Sequence, residues 1–318
     1  MPKKKPTKTI AIFGNSLTTK ICIKEFCRLG YKVVLFFPER KLALYKYYRF
    51  KDLGVEVEFF SDIESESLLK KLSELNPDYI FSIVFAYKIP KKIIDQARVM
   101  ALNFHASLLP QYRSQNPYFW VIRNGEKISG ITVHRLTDGW ESGPIIYQKK
   151  FSLHEYDTFG TYIKRIEFYA KYIIEDINQL LISEKLKEHS QGSSPYFPRK
   201  KYKDIVIDWT QPAKSIEFLV RACNPKPGAL TYFRNMILRI LEVNLSPFSA
   251  GKPGEISIID NDLFISAHDH KLKISIIESA KEGFFSGMRF ASFCRVGSGE
   301  MFQNLADFLK EEDLNRII

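Results

Sequence analysis

The run Asp78-Tyr-Ile-Phe-Ser-Ile-Val-Phe-Ala86 is apolar at almost every position after its first and shows no polar–apolar alternation. An extended segment of that kind must be covered on both faces, as strands of a parallel sheet between helix layers are. The preceding residues supply such layers. Thr9-Ile-Ala-Ile-Phe13 predicts a strand, Gly14-Asn15-Ser16 a turn, and the following segment to Leu29 a helix that Gly30 stops. Tyr31–Phe37 and Val55–Phe59 predict two more strands, with a helix over Lys41–Asp52 between them. Ser61 or Asp62 is the expected cap of a helix running to Leu75. Lys88–Ala97 reads as a short helix and Met100–Phe104 as the next strand. Strand and helix alternating at this spacing predict a doubly wound, mostly parallel α/β sheet, which binds ligands at the carboxyl ends of its strands.

Asn103 and His105 stand at such an end. Two residues apart on an extended segment, their side chains point the same way. Asn offers an NH2 donor for a developing oxyanion, and His a group that exchanges a proton near neutral pH. A nearby carboxylate would complete a site for moving a carbonyl group to an amine, and the turn Asp138–Gly143 is its best source. On spacing alone, a structural histidine beside a strand is the competing reading. Neither G-x-G-x-x-G nor G-x-x-x-x-G-K-[ST] follows the first strand, which argues against dinucleotide and P-loop chemistry.

The series Asn103-x-His105-x-Ser107-Leu-Leu-Pro110, Tyr112-Arg113, Pro117, Trp120, Asn124-Gly125-Glu126, Gly130-Ile-Thr-x-His134 and Gly143-Pro144-Ile-Ile resembles the folate-dependent formyltransferase family. That family includes glycinamide ribonucleotide, methionyl-tRNA and sugar N-formyltransferases. The resemblance implies formyl transfer from 10-formyltetrahydrofolate to an amine, without a metal. It assigns proton transfer to His105 and oxyanion binding to Asn103. Relatives carry an aspartate two residues before the glycine matching Gly143; here Glu141 stands there, one methylene longer. Adjustment of the backbone to place Glu141 is the favoured expectation; Asp138 as the carboxylate, or weak activity, are the alternatives. For the folate, the resemblance points to Ala86, Tyr87, Lys88, Ile89, Thr137 and Asp138; for the acceptor, to Ser107, Arg113 and Arg199. Ser114 replaces a usual glycine and is expected to alter its loop slightly.

The segment Thr158–Leu186 has the apolar spacing of an amphipathic packing helix. We expect a catalytic domain over 8–190, a linker over 191–209 opened by the polar run Gln191–Pro195, and a C-terminal domain over 210–318. Val220-Arg-Ala-Cys-Asn-Pro-Lys-Pro-Gly-Ala229 resembles the signature opening that domain in long formyltransferases, implying an OB-like barrel. The short strands separated by Asn, Gly and Pro turns agree. His268, Asp269 and His270 fall on a turn, read as a hairpin tip in preference to a metal site.

Residues 81–103 and 196–209 are similar, without gaps, to the enzyme that formylates UDP-4-amino-arabinose, so a nucleotide-linked amino sugar is the expected acceptor. The second strand is not followed by the Gly- and Arg-rich insertion of methionyl-tRNA formyltransferases, which makes tRNA the alternative. A folate- or nucleotide-binding homologue with weakened catalysis is the third reading. The chain has 318 residues, 45% of them hydrophobic, enough for two cores. A net charge of +11 favours a polyanionic partner, though simple solubility charge explains it equally well. The four cysteines show no ligand or disulfide spacing, and the basic start leads into a strand, so a frayed tail and a cytoplasmic setting are expected, with no membrane span.

Overall fold

The computed structural model describes residues 8–85, 87–183 and 185–307; the basic start and the end of the chain lie outside them. Residues up to 117, 128–152 and 163–198 form one compact unit, and residues 118–127, 153–162 and from 199 onward a second.

The first unit is built on a seven-stranded sheet. In chain order its elements are β1 (Thr9–Phe13), α1 (Leu17–Arg28), β2 (Lys32–Pro38), α2 (Leu42–Tyr47), β3 (Glu56–Phe60), α3 (Glu66–Leu75), β4 (Tyr79–Ile83), α4 (Lys91–Ile94), β5 (Met100–His105), β6 (Ile128–Arg135), β7 (Ile145–Ser152) and all but the first turn of α6 (Phe159–Ser183); α5 (Pro117–Arg123) falls, after its first residue, in the second unit. The strand order is β3-β2-β1-β4-β5-β6-β7. The first five strands run parallel and β6 and β7 antiparallel, as expected of a mostly parallel sheet. Every residue of β4 and β5 is buried.

Three helices differ from expectation, each for a local reason. The helix expected over Lys41–Asp52 ends at Tyr47, and left-handed Arg49 (φ 51°) begins a 3-10 turn, Phe50–Leu53. Lys20 Nζ holds the carbonyls of Tyr48 and Arg49 at 2.6 and 3.0 Å, while Phe50 is buried against Phe37 and Tyr45. The helix that Ser61 or Asp62 was to cap starts later, with Ser65 Oγ accepting from Leu68 N at 3.4 Å. Asp62 instead caps a turn, accepting from Glu64 N at 2.9 Å. The helix expected from Lys88 begins at Lys91, because Pro90 keeps Ile89 out of helical space.

The second unit carries α7 (Ala213–Cys223), β8 (Ala229–Phe233), β9 (Met236–Ser249), β10 (Ile256–Ile259), β11 (Asp262–Ser266), β12 (His270–Ser279), β13 (Gly283–Ser286) and α8 (Gly287–Cys294). These strands form an antiparallel sheet in the order β10-β11-β12-β9-β8, with β13 beside β12. Both φ angles are positive at Arg234-Asn235 and at Asp260-Asn261, the two-residue loops of tight hairpins. The outer strands β10 and β8 do not remain open edges. Segment 301–303 pairs at one end with Tyr232 of β8 and at the other with Glu255, next to β10, closing the sheet as a barrel. Asp269 lies in the β11–β12 hairpin turn and accepts from Ala213 N at 2.7 Å. Among the described residues no helix is long and apolar enough to cross a membrane.

Candidate active site

Antiparallel pairing of β5 with β6 sets Asn103 directly opposite His134. The β6–β7 connection then folds back over the pair and delivers Glu141. Gly143 makes this return possible: a Cβ there would lie 2.0 Å from the Arg135 carbonyl oxygen. Glu141 itself is left-handed (φ 48°), a conformation uncommon for a residue with a long side chain. The extra methylene is thus accommodated by the backbone, and the carboxylate lies among the strand residues.

One oxygen of that carboxylate gathers three partners. Glu141 Oε2 accepts from Asn103 Nδ2 at 2.7 Å and from His134 Nε2 at 2.8 Å, and lies 3.2 Å from His105 Nδ1. The other ring nitrogens also face oxygen: His105 Nε2 lies 3.2 Å from the Tyr112 carbonyl and His134 Nδ1 2.7 Å from that of Arg135. The cluster is secluded, with His105 5% exposed and the Glu141 side chain 13%. Burial opposes charge on His105, but attraction to Glu141 outweighs it and raises the imidazole above its ordinary value. Burial likewise opposes ionisation of Glu141, yet His105 and then His134 hold its carboxyl well below the usual carboxylate range. Each group therefore favours the charged form of the other.

A narrow cleft opens on Asn103, His134 and Glu141 of this cluster, lined further by Ser82, Phe85, Tyr87, Lys88, Ile89, Leu136, Thr137, Gly139 and Trp140; His105 is not among its lining residues. Of the residues expected to hold a folate, Tyr87, Lys88, Ile89 and Thr137 line it, and Ala86 lies outside the described residues. Asp138 is exposed, does not line the cleft and pairs with Lys88 Nζ at 2.9 Å, so Glu141, not Asp138, is the carboxylate beside His105.

The residues expected at the acceptor are dispersed. Ser107 is fully buried and donates to the Gln111 carbonyl at 3.0 Å, shaping its loop. Arg113 donates to Gln191 Oε1 at 2.9 Å and to the Gly192 carbonyl at 3.1 Å, and Gln191 in turn donates to the Gly143 carbonyl at 2.6 Å. Arg199 belongs to the second unit, where it lines a cavity with Lys200, Lys201, Lys226 and Arg239. Ser114 is not left-handed, its Oγ accepts from Asn116 N at 3.0 Å, and the positive φ in this loop is at Tyr112 (58°). Sequence reasoning assigned no role to His134. Its signal was a lone ring in the apolar stretch Gly130–Val133, but only the antiparallel register shows which residue it faces.

Residues 56–176 match the formyl transferase family and residues 200–292 the formyl transferase C-terminal domain. Methionyl-tRNA formyltransferase of Thermotoga maritima is 30% identical over 247 residues, which cover 75% of this chain and 77% of that one. Among solved structures, WlaRD, a sugar 3N-formyl transferase in the presence of dTDP and 5-N-formyl-THF, superimposes with a TM-score of 0.66 at 20% identity, covering 87% of this chain and 100% of that one. HypX from Aquifex aeolicus, in complex with tetrahydrofolic acid, gives 0.63 at 18% identity over 92% of this chain, which spans about half (48%) of HypX. The two family matches in chain order, with the extent of the Thermotoga relationship, show that this chain belongs to the folate-dependent formyltransferase family.

Proposed function

We propose that the protein transfers a formyl group from 10-formyltetrahydrofolate to the amine of a nucleotide-linked amino sugar, using Asn103, His105 and Glu141. The observation that carries this reading is the convergence of the Asn103 amide and the His105 imidazole on one oxygen of Glu141, a carboxylate that lines the cleft.

Asn103 Nδ2 donates to Glu141 at 2.7 Å and lies 3.1 Å from His134 Nε2, so a substrate oxygen would take an N–H by displacing one of these contacts. The His105 bonds are long at 3.2 Å, so either N–H can be exchanged for a substrate atom. As the amine nitrogen bonds to the formyl carbon, the carbonyl electron pair moves onto oxygen, where Asn103 and His105 donate to it. The C–N10 bond then breaks as His105 gives its proton to N10. The proton lost by the amine returns to His105 through Glu141, and the products are a formamide and tetrahydrofolate. Apolar Phe85, Ile89 and Leu136 suit the faces of a flat heteroaromatic ring, leaving ring edges to main-chain groups.

Two features support a sugar nucleotide: the short α2 after β2 with no Gly- and Arg-rich insertion, and the likeness in fold to WlaRD, described with dTDP. A second reading, methionyl-tRNA, is favoured by the Thermotoga relationship and by the basic cavity of ≈2040 Å³ in the second unit, where Glu278 is the carboxylate among five cations. A transfer assay with 10-formyltetrahydrofolate against UDP- and dTDP-amino sugars and methionyl-tRNA separates them. Formylation of a sugar nucleotide is expected. Formylation of tRNA alone would replace the acceptor assignment, and transfer to nothing would remove the catalytic one.

A further inference from the structure

His105 is held from two sides by connections that are distant in the chain. Its Nδ1 lies 3.2 Å from Glu141 Oε2, carried by the β6–β7 turn, and its Nε2 3.2 Å from the Tyr112 carbonyl, carried by the loop after β5. Glu141 and Tyr112 are both left-handed, with φ of 48° and 58°. A residue other than glycine keeps that conformation only where its surroundings enforce it.

The segment after α6 supplies that enforcement to both connections. His189 exchanges backbone bonds of 2.8 and 2.9 Å with Ile145, just beyond the turn, and Phe197 N donates to the Arg113 carbonyl at 2.8 Å. Between these two anchors one side chain bonds to both connections. Gln191 Nε2 donates to the Gly143 carbonyl at 2.6 Å, two residues after Glu141. Gln191 Oε1 accepts from Arg113 Nη2 at 2.9 Å, one residue after Tyr112. A primary amide suits this place because it donates at one atom and accepts at the other. Gln191 bonds to none of Asn103, His105 and Glu141, so it acts on them through the turn and the loop.

We propose that Gln191 is a positioning residue for formyl transfer, tying the Glu141 turn to the Tyr112 loop and so fixing the separation of the two oxygens that face His105. This rests on the roles given above to His105 and Glu141. Without the tie the turn relaxes, and retraction of the carboxylate by ~1 Å is enough to slow a reaction severely.

The test compares wild type with Gln191→Ala and with Gln191→Met, which keeps the length of the side chain and offers neither bond. Each is followed by NMR titration of the His105 ring without substrate, by thermal unfolding, and by transfer from 10-formyltetrahydrofolate to the acceptor found with the panel above. Both variants are expected to stay folded and to titrate His105 at lower pH than wild type, as Glu141 draws back and burial governs. Both should lose about 10-fold in kcat with KM for 10-formyltetrahydrofolate nearly unchanged. Wild-type kcat and wild-type His105 titration in both variants would overturn the assignment. A lower unfolding temperature with kcat per folded molecule unchanged would overturn it too, as would wild-type behaviour of Gln191→Met alone, since bulk and not bonding would then do the positioning. Those outcomes leave the proposed reaction standing, whereas a wild type that formylates no acceptor would remove the reaction and the role of Gln191 in it together.

Discussion

His105 Nδ1 lies 3.2 Å from Glu141 Oε2 in a largely buried site, and this contact favours the charged form of both side chains. Stability follows from it with opposite signs at the two ends of the pH range. The raised His105 contributes fully below its ordinary 6.5 and loses the contribution as pH climbs through its folded value. The depressed Glu141 contributes above its ordinary 4.5 and loses the contribution as pH falls through its folded value. The pair therefore stabilises the fold most between 4.5 and 6.5.

Glu141→Gln removes the charge that raises His105, so burial should then govern and lower its titration. The alkaline limb of kcat/KM is expected to move to lower pH, and NMR titration of the His105 ring should show the same shift. An unmoved limb would separate His105 from the proton transfer.

Glu141→Asp restores the residue type usual in the family but not its position. The shorter side chain retracts the carboxylate by ~1 Å or more, and turnover should fall roughly 100-fold. Thermal stability should change little, because aspartate tolerates the left-handed conformation better than glutamate. Turnover equal to wild type would show that the turn re-forms around the shorter residue.

His134→Ala takes one donor from Glu141 Oε2 at 2.8 Å. Loss of a buried group that orients a catalytic one typically costs ~10- to 100-fold, so kcat should fall on that scale with KM for the acceptor nearly unchanged. A rise in KM alone would place His134 in binding instead.

Gly143→Ala drives a methyl into the Arg135 carbonyl, and the turn carrying Glu141 must shift. Unfolding should show a loss of about 2 kcal/mol or more. Activity should drop further than the folded fraction does, a difference visible when both are measured at one temperature.

How much of this was legible in the sequence depends on the range of the interaction. Asn103 and His105 share one side of a strand by their two-residue spacing, and their roles, with that of Glu141 two residues before Gly143, are what the family resemblance implies. Those are local facts. His134 faces Asn103 only because β6 runs against β5, a reversal that composition and periodicity do not encode. The helix break at Arg49 depends on Lys20, 29 residues away, capturing two carbonyls. Barrel closure depends on segment 301–303, which has no strand pattern of its own and pairs because two open edges need partners.

The reach of Gln191 bears on where the catalytic part of the chain ends. By composition the polar run from Gln191 to Pro195 reads as a spacer, and a cut after residue 190 looks harmless. That cut would remove the amide that holds the Gly143 carbonyl on one side and the Arg113 guanidinium on the other. It would also remove Phe197, stacked on Tyr112, whose carbonyl faces His105. A fragment ending at 190 would keep Asn103, His105 and Glu141 and lose the brace beside them, whereas one ending at Pro198 would keep both.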